Sequence, residues 1–212
     1  MGRIKKGILG GFSGKVGTVV GASWKGISYM RSLPQSLKNP RTLAQLSQRS
    51  KFALVQHLLQ PLNDILRIGW KLHAQRKSPV NAATAYTLTN AVSGEYPDYK
   101  IVPGKLLVSR GTLTGVTNAF VSCSGGQVEF QWEDNSGNGS AQGTDKALVA
   151  IVNFAKGEVV TITAGAARHD CVQNVAVSSE WSGDEVHAYM GFVSENGKEV
   201  ANSVYLGAVA VD

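Results

Sequence analysis

The stretch Gln127–Trp132, with the sequence QVEFQW, decides the fold of this 212-residue chain. Every second residue in it, from Val128 through Phe130 to Trp132, is large and apolar, and polar residues lie between them. A period of two is typical of a β-strand that buries one face and exposes the other. The stretch therefore predicts a strand whose tryptophan belongs to the core of a sheet protein.

The same period extends in both directions from this strand, beginning at Lys105. The predicted strands are 105–109, 117–123, 127–133, 146–153, 158–163, 172–178, 185–193 and 200–210. Turn-forming residues separate them at 135–139 (NSGNG) and 195–198 (ENGK), and the second of these contains an Asn-Gly hairpin signal. About eight short strands at this spacing favour a β-sandwich of the immunoglobulin or fibronectin kind.

This half of the chain also resembles a fibronectin type III domain. The run Val128–Trp132 is similar to the second strand of that domain, which ends in a core tryptophan. The run 183–189 (GDEVHAY), followed by 195–198 (ENGK) and 203–205 (SVY), resembles its final hairpin. The tyrosine usual in the third strand is absent from 147–153. The resemblance implies an immunoglobulin-like sandwich over residues 105–212.

Upstream of the sandwich the apolar period changes to that of a helix, over residues 39–94. Asn39-Pro40 predicts a helix start, with Asn as the N-cap and Pro at the first helical position. Pro61 is expected to kink or restart this helix, whose apolar stripe continues to about residue 76. Ser78-Pro79 predicts a second, shorter helix that stops near Gly94. Residues 95–104, rich in Pro and Gly, are expected to be a linker.

Residues 1–38 are predicted to form a separate, glycine-rich arm. Eight glycines divide it into short alternating runs, which predicts short strands and tight turns with too few residues for a core. The arm therefore has to pack on its own helices or on a neighbouring subunit, and the sequence leaves both open. The predicted class is α+β: a short N-terminal β arm and a helical segment, followed by a C-terminal immunoglobulin-like β-sandwich.

Charge is distributed very unevenly along the chain. Up to Lys77 there are fourteen basic residues and one acid, Asp64, whereas the remainder holds seven basic residues and fourteen acids. A cationic end and an anionic end indicate a nucleic-acid partner or an acidic protein surface. That surface could belong to another copy of the same chain.

Eight residues in the basic half are candidates for a contact surface. Arg41, Gln45 and Arg49 have the spacing i, i+4, i+8, which would place them on one helix face. Such a face could be simply solvated, but the absence of acids through residue 63 favours a polar contact with a subunit or with phosphates. The arm adds aromatic and basic candidates, namely Phe12, Trp24, Lys25, Tyr29 and Arg31.

No catalytic or metal-binding pattern stands out. The four histidines and two cysteines lack metal-ligand spacing, and there is no phosphate-binding Gly-rich loop. The string His169-Asp170-Cys171 would lie along a strand with adjacent side chains on opposite faces. The pairs Glu133-Asp134 and Asp184-Glu185 could seat calcium, but solvated turns fit them better. We expect no catalytic residue, cofactor, metal or small-molecule substrate.

The whole chain resembles an uncharacterised family of small proteins from Bacteroidota and phage-related sequences. The resemblance rests on 11–17 (GFSGKVG), 24–26 (WKG) and 39–42 (NPRT), together with Gln45, Arg49 and Phe52. It implies a virion or a phage-derived particle as the context and implies no activity.

The remaining features bear on location. No apolar stretch is long enough for a membrane span, and no apolar core follows the basic N-terminus, so a signal peptide is not expected. We expect synthesis in the cytoplasm and residence in a virion or extracellular particle. Cys123 and Cys171 are then either reduced thiols or a disulfide across the sandwich.

Three functions remain open from the sequence. The first is a structural subunit that forms a homo-oligomer or binds particle partner proteins through the basic arm and helices. The second is a nucleic-acid-binding protein that uses the cationic half. The third is a surface binding module whose sandwich recognises a glycan or a protein.

Overall fold

The structure, a computed structural model, describes residues 2–4, 7, 10–24, 26–36, 39, 41–75 and 77–212. It consists of two compact units, Met1–Thr42 and Leu43–Asp212, which we describe separately. The class is α+β with a β-rich C-terminal half, as the sequence predicts.

The first unit, which we call the arm, is an antiparallel sheet in the order β1-β2-β3-β4. Its strands are β1 (Arg3–Ile4), β2 (Phe12–Val16), β3 (Val19–Trp24) and β4 (Ile27–Ser32). Gly17 and Gly26 have φ angles of 58° and 88° in the turns that precede β3 and β4. These positions need glycine because side chains with a Cβ atom rarely adopt a positive φ.

The second unit begins with three helices and continues with nine strands. The helices are α1 (Leu43–Leu59), α2 (Asn63–Gly69) and α3 (Pro79–Asn90). The strands are β5 (Val92–Ser93), β6 (Lys100–Ile101), β7 (Thr117–Ser124), β8 (Gln127–Glu133), β9 (Lys146–Asn153), β10 (Glu158–Ile162), β11 (Val172–Ala176), β12 (Glu185–Val193) and β13 (Val204–Ala210).

Seven of these strands form the sandwich. One sheet has the order β10-β9-β12-β13 and the other has the order β11-β8-β7. The hairpins β7–β8, β9–β10 and β12–β13 each stay within one sheet, and β11 returns to pair with β8. This three-on-four arrangement is that of an immunoglobulin-like sandwich. Val128, Phe130 and Trp132 of β8 are all buried, which confirms the predicted register.

The helices cover the outer face of the four-stranded sheet, so this sheet is buried on both sides. In β9, Leu148, Ala150 and Val152 pack in one core cluster with Leu59 and Trp70 of the helical segment. The alternate residues of β9 pack against the three-stranded sheet instead. A strand buried on both faces reads as continuously apolar, as the sequence ALVAIV of 147–152 does.

The helix starts are partly as expected. Ser78 caps α3 by accepting a hydrogen bond from Asn81 N, and Pro79 is its first residue, as predicted. However, α1 begins at Leu43, beyond the expected start at Asn39-Pro40, and Pro40 lies outside the described residues. Arg41 has a φ of 47°, a left-handed conformation that cannot continue into a right-handed helix.

The predicted strand 105–109 is not a strand. Leu106 and Val108 are buried as the pattern suggested, but the backbone N–H groups of Val108 and Ser109 donate to the hydroxyl of Ser203, at 2.9 and 3.3 Å. A side chain thus satisfies the amides that a ladder would otherwise use. On the same side of the sandwich, the last strand starts at Val204 and not at 200.

The helical segment and the sandwich do not divide at the expected linker 95–104. Strands β5 and β6 pair across this region, and Ile101 packs against the cluster that the helices share with β9 and β12. A common core joins the two parts because the four-stranded sheet needs an apolar cover on its outer face. The chain divides after Thr42 instead.

Candidate assembly surfaces

One face of the arm sheet carries basic side chains together with Trp24 and Tyr29. Residues paired across antiparallel strands project to the same side, and side chains alternate along each strand. The pairs Lys15–Val20, Val20–Arg31, Ala22–Tyr29 and Trp24–Ile27 therefore share one face. Arg3 pairs with Ser13, two residues from Lys15, and lies on this face as well. We call this the cationic face, defined by Arg3, Lys15, Val20, Ala22, Trp24, Ile27, Tyr29 and Arg31.

The arm buries few of its apolar side chains. On the cationic face Trp24 is 63% exposed and Ile27 67%, and on the opposite face Met30 is 70% exposed. All six residues of β4 are exposed. The large apolar side chains exposed in the described part of the arm are Ile4, Val16, Val19, Trp24, Ile27, Tyr29, Met30 and Leu33.

A contact between Phe12 and Gly21 packs β2 against β3 in addition to their backbone pairing. Phe12 is half-buried and its ring lies over Gly21, which is buried. A Cβ atom at Gly21 would lie 2.2 Å from the carbonyl oxygen of Phe12 and 2.5 Å from a ring carbon. Only glycine fits at this crossing, because the clash is with backbone that cannot move independently.

The structure brings some of the predicted contact residues together and separates others. Trp24, Tyr29 and Arg31 share the cationic face, whereas Phe12 packs on Gly21 and Lys25 lies outside the described residues. Lys15 and Val20 of this face are not among the predicted contact residues, although the alternation of side chains over 15–31 could have placed them.

The predicted surface at Arg41, Gln45 and Arg49 is smaller than expected. Gln45 and Arg49 lie one turn apart on α1 and are exposed, but Arg41 precedes the helix with its left-handed backbone. The first half of α1 also exposes Leu43 and Phe52, and its buried residues begin only at Val55. This half of the helix therefore presents apolar and basic side chains to its surroundings.

The sandwich exposes the outer face of its three-stranded sheet. Phe120, Gln131 and Val172 lie in one row across β7, β8 and β11. Phe120 is 53% exposed, and Val172 is exposed as well. We call this the open sheet face, defined by Phe120, Ser122, Gln127, Glu129, Gln131, Glu133, Val172 and Asn174.

The open sheet face is acidic. Its central strand carries Glu129 and Glu133 on either side of Gln131, and the three strands contain no lysine or arginine. Neighbouring amides orient both carboxylates: Gln131 Nε2 donates to Glu129, and Asn118 Nδ2 donates to Glu133 at 2.6 Å. Asn118 sits in a bulge of β7 with a φ of 48°.

A buried polar network ties the two sandwich sheets together. The fully buried Arg168 bonds Asp145 at 3.1 Å and Asn135 at 2.6 Å, and it lies 3.9 Å from the ring centre of Phe192. Burial lowers the pKa of Arg168, an effect that Asp145 partly offsets. Trp132 Nε1 donates to the carbonyl of Arg168 at 2.7 Å. Every member of this network is inside the sandwich, which indicates a structural role.

A histidine–tyrosine pair lies on the helix-facing side of the four-stranded sheet. His187 Nδ1 is 2.8 Å from the Tyr205 hydroxyl, and the His187 ring packs on Phe154 with centroids 4.8 Å apart. Burial lowers the pKa of His187, while the Glu185 carboxylate acts in the opposite direction. Burial raises the pKa of Tyr205 and of the neighbouring Tyr189.

The carboxylates considered for calcium are engaged in local bonds. Asp134 accepts from Ser136 N at 2.9 Å, which lowers its pKa together with the Ser136 hydroxyl. Asp184 pairs with Lys156 at 2.9 Å and with Asn153 at 2.8 Å, and both bonds lower its pKa. Within the described residues no three His, Cys, Asp or Glu side chains are grouped to hold a metal.

The string His169-Asp170-Cys171 does not lie on a strand, so that prediction is wrong. His169 and Asp170 belong to a 3₁₀ turn, and Cys171 is the residue that ends it. Cys171 has a φ of 59°, and its sulfur lies 3.5 Å from the carbonyl oxygen of His169, so the thiol is directed at backbone and not at the imidazole. Both Cys123 and Cys171 are free in the structure.

A narrow cavity of about 90 Å³ lies between α1 and the β9–β10 hairpin in the second unit. Its lining is mainly apolar and includes Leu54, His57, Phe154 and Val159. This volume is below the several hundred Å³ typical of ligand pockets. Separately, over the part of the chain that the structure describes, no helix is both long and apolar enough to cross a membrane.

Comparison with known proteins identifies a family. No curated protein matches the chain. The family described as a family of unknown function, DUF6266, matches residues 11–207, from just before β2 into β13. Because this match spans both the arm and the sandwich, the chain belongs to the DUF6266 family.

Proposed function

We propose that this protein is a non-catalytic assembly subunit that self-associates through its N-terminal arm. The observation that carries the proposal is the arm sheet itself, whose strands are paired but whose eight large apolar side chains are exposed. So many large apolar side chains exposed on one small sheet favour an interaction surface.

The energetic argument is one of apolar burial. Burying a large apolar side chain contributes about 1.5–3 kcal/mol. The four most exposed large apolar side chains in the described part of the arm are 58–70% exposed, so their complete burial would contribute on the order of 4–8 kcal/mol, within the range of the cost of lost translational and rotational freedom.

The charges favour a head-to-tail contact between copies. Residues 1–42 contain eight basic residues and no acid, and all fifteen acids lie in residues 43–212. Oppositely charged surfaces on one chain attract between copies, and a heterologous contact closes into a ring or propagates as a filament. A phage or phage-like particle as the destination rests on the sequence resemblance alone.

Light scattering over a concentration series tests the proposal on the full chain. We expect Ile27→Ser with Met30→Ser to weaken association strongly, because both arm side chains are more than half exposed. The matched control is Leu72→Ser with Val204→Ser, which removes exposed apolar side chains from the second unit. A wild-type chain that is monomeric at every concentration, or equal effects of the two pairs, would overturn the proposal.

A second function is favoured by the composition of the cationic face. Trp24 and Tyr29 share this face with Lys15 and Arg31, and aromatic platforms with flanking cations bind single-stranded nucleic acid. Fluorescence anisotropy with single-stranded and duplex oligonucleotides tests it. Nucleic-acid binding predicts steep loss of affinity with salt and a further loss on Trp24→Ala. Absence of binding at low salt would reject it.

A further inference from the structure

We infer that the surface receiving the arm is the open sheet face of a neighbouring copy, on which the cationic face docks. The inference rests on the proposed function and adds the identity of the receptor surface. It is carried by the complementary charge and apolar content of two faces that both lie on described residues.

Both faces carry large apolar side chains that are exposed. On the open sheet face, Phe120 and Val172 stand on the two outer strands with Gln131 between them. On the cationic face, Trp24 and Ile27 form a pair at one end, and Tyr29 lies one alternation further along β4. Each face thus offers large exposed apolar side chains that stacking of the two sheets would remove from water.

The charges of the two faces are opposite in sign. Glu129 and Glu133 are the charged groups of the open sheet face, and Arg3, Lys15 and Arg31 are charged groups of the cationic face. Four residues along β8 separate the carboxylates by about 13 Å. Two strand spacings separate Lys15 from Arg31 by about 10 Å. Long basic side chains can span this difference, since their charged heads reach outward on flexible stems.

The sandwich offers few other sheet surfaces for docking. The outer face of the four-stranded sheet packs against Leu59, Trp70 and other residues of the helical segment. The inner faces of both sheets form the core that contains Phe130 and Trp132. Within residues 77–212 the outer face of β7, β8 and β11 is therefore the sheet face that remains uncovered.

Charge reversal on the full chain tests the inference. Glu129→Lys with Glu133→Lys should raise the dissociation constant of self-association by on the order of tenfold or more, because like charges would then face each other. The matched control is Glu195→Lys with Glu199→Lys, which introduces the same charge at exposed positions in the turn before β13. The control should associate more strongly than the open-face variant.

Mixing complementary variants gives a second, independent readout. Lys15→Glu with Arg31→Glu should also block self-association, but an equimolar mixture with the Glu129→Lys, Glu133→Lys variant should assemble again. In the mixture each mutated surface meets one of opposite charge on the other variant. If circular dichroism shows that the lysine variant misfolds, Glu129→Gln with Glu133→Gln replaces it, with a smaller expected loss.

The outcomes separate this inference from the proposed function. If the open-face variants associate as well as the turn control and no mixture recovers assembly, the receptor surface is wrong. If the Ile27→Ser, Met30→Ser arm variant still loses association in that case, the arm docks elsewhere and the proposed function stands. If the arm variant also associates normally, both proposals fail.

Discussion

The arm sheet and the four-stranded sheet of the sandwich have the same number of strands but opposite patterns of burial. Every residue of β4 is exposed, whereas seven of the eight residues of β9 are buried. β4 pairs along its whole length with β3 but is the edge strand of its sheet, whereas β9 lies between β10 and β12. The two strands differ further in apolar cover, which β9 receives on both faces and β4 on neither. A sheet that is paired but uncovered is suited to completion by a partner.

The largest expected effect contrasts a tryptophan from each region. Trp132→Ala should lower the free energy of unfolding by about 3–5 kcal/mol, because it empties a core site and removes a bond to Arg168. Trp24→Ala should change it by less than about 0.5 kcal/mol, because this side chain is largely exposed. Urea unfolding followed by circular dichroism measures both. Equal losses for the two variants would contradict the contrast.

The buried ion pair of the sandwich should give an effect of similar size. Arg168→Met leaves Asp145 buried without its cationic partner and should cost about 3–5 kcal/mol. The double variant Arg168→Met, Asp145→Leu should recover part of that loss, since no unpaired charge then remains. A thermal melt of each variant checks this prediction. A double variant less stable than Arg168→Met alone would show that the other bonds of Asp145 dominate.

A smaller effect should depend on pH. Burial lowers the pKa of His187 below its ordinary 6.5, so the folded chain takes up this proton less readily than the unfolded chain. The stability from neutral His187 is present above the unfolded pKa and is lost as pH falls from about 6.5 through the folded pKa. Uptake of one proton by His187 changes the free energy of unfolding by at most about 1.4 kcal/mol per pH unit.

Unfolding of the His187→Gln variant at several pH values tests this assignment. Its stability should fall less than that of the wild type between about pH 7 and about pH 5. Glu185, Tyr205 and Phe154 surround the ring and remain in the variant. The pKa of His73 is also lowered by burial. Since His73 is present in both the wild type and the variant, its effect on stability cancels in the difference between them. Identical pH profiles would show that His187 does not contribute.

The smallest expected effect on stability comes from the arm. Gly21→Ala places a Cβ atom against the backbone of Phe12 and should disrupt the arm sheet. The melting temperature should stay unchanged because the core clusters lie in the second unit. Self-association, measured by sedimentation velocity, should nevertheless weaken. A lower melting temperature with unchanged association would mean that the arm stabilises its own chain instead.

The sequence predicted the sandwich strands well because short apolar or alternating runs bounded by turn residues indicate buried strands. Strands β8, β9 and β12 have the predicted bounds, and Trp132 is in the core. The apolar pattern of 105–109 gave a wrong strand prediction, because the Ser203 hydroxyl, and not a neighbouring strand, accepts the hydrogen bonds of Val108 N and Ser109 N. No local pattern in 105–109 indicates that a hydroxyl almost a hundred residues away accepts the hydrogen bonds of these backbone amides.

The unit boundary could not be predicted from local periodicity. A change of period near residue 100 correctly marks the end of the helices, but it does not show that they pack on the sheet. The continuous apolar run of 147–152 was the available signal, since a strand in a two-layer sandwich would alternate. Likewise, Asn39-Pro40 has the residues of a helix start, but the backbone at Arg41 places the start at Leu43.

The most direct test of the account compares the full chain with residues 43–212 by light scattering. The shorter chain keeps both core clusters, so its circular dichroism and melting temperature should match those of the sandwich in the full chain. The account predicts that the full chain forms assemblies whose mass grows with concentration and that 43–212 remains a folded monomer. A full chain that stays monomeric, or a truncated chain that assembles equally well, would contradict it.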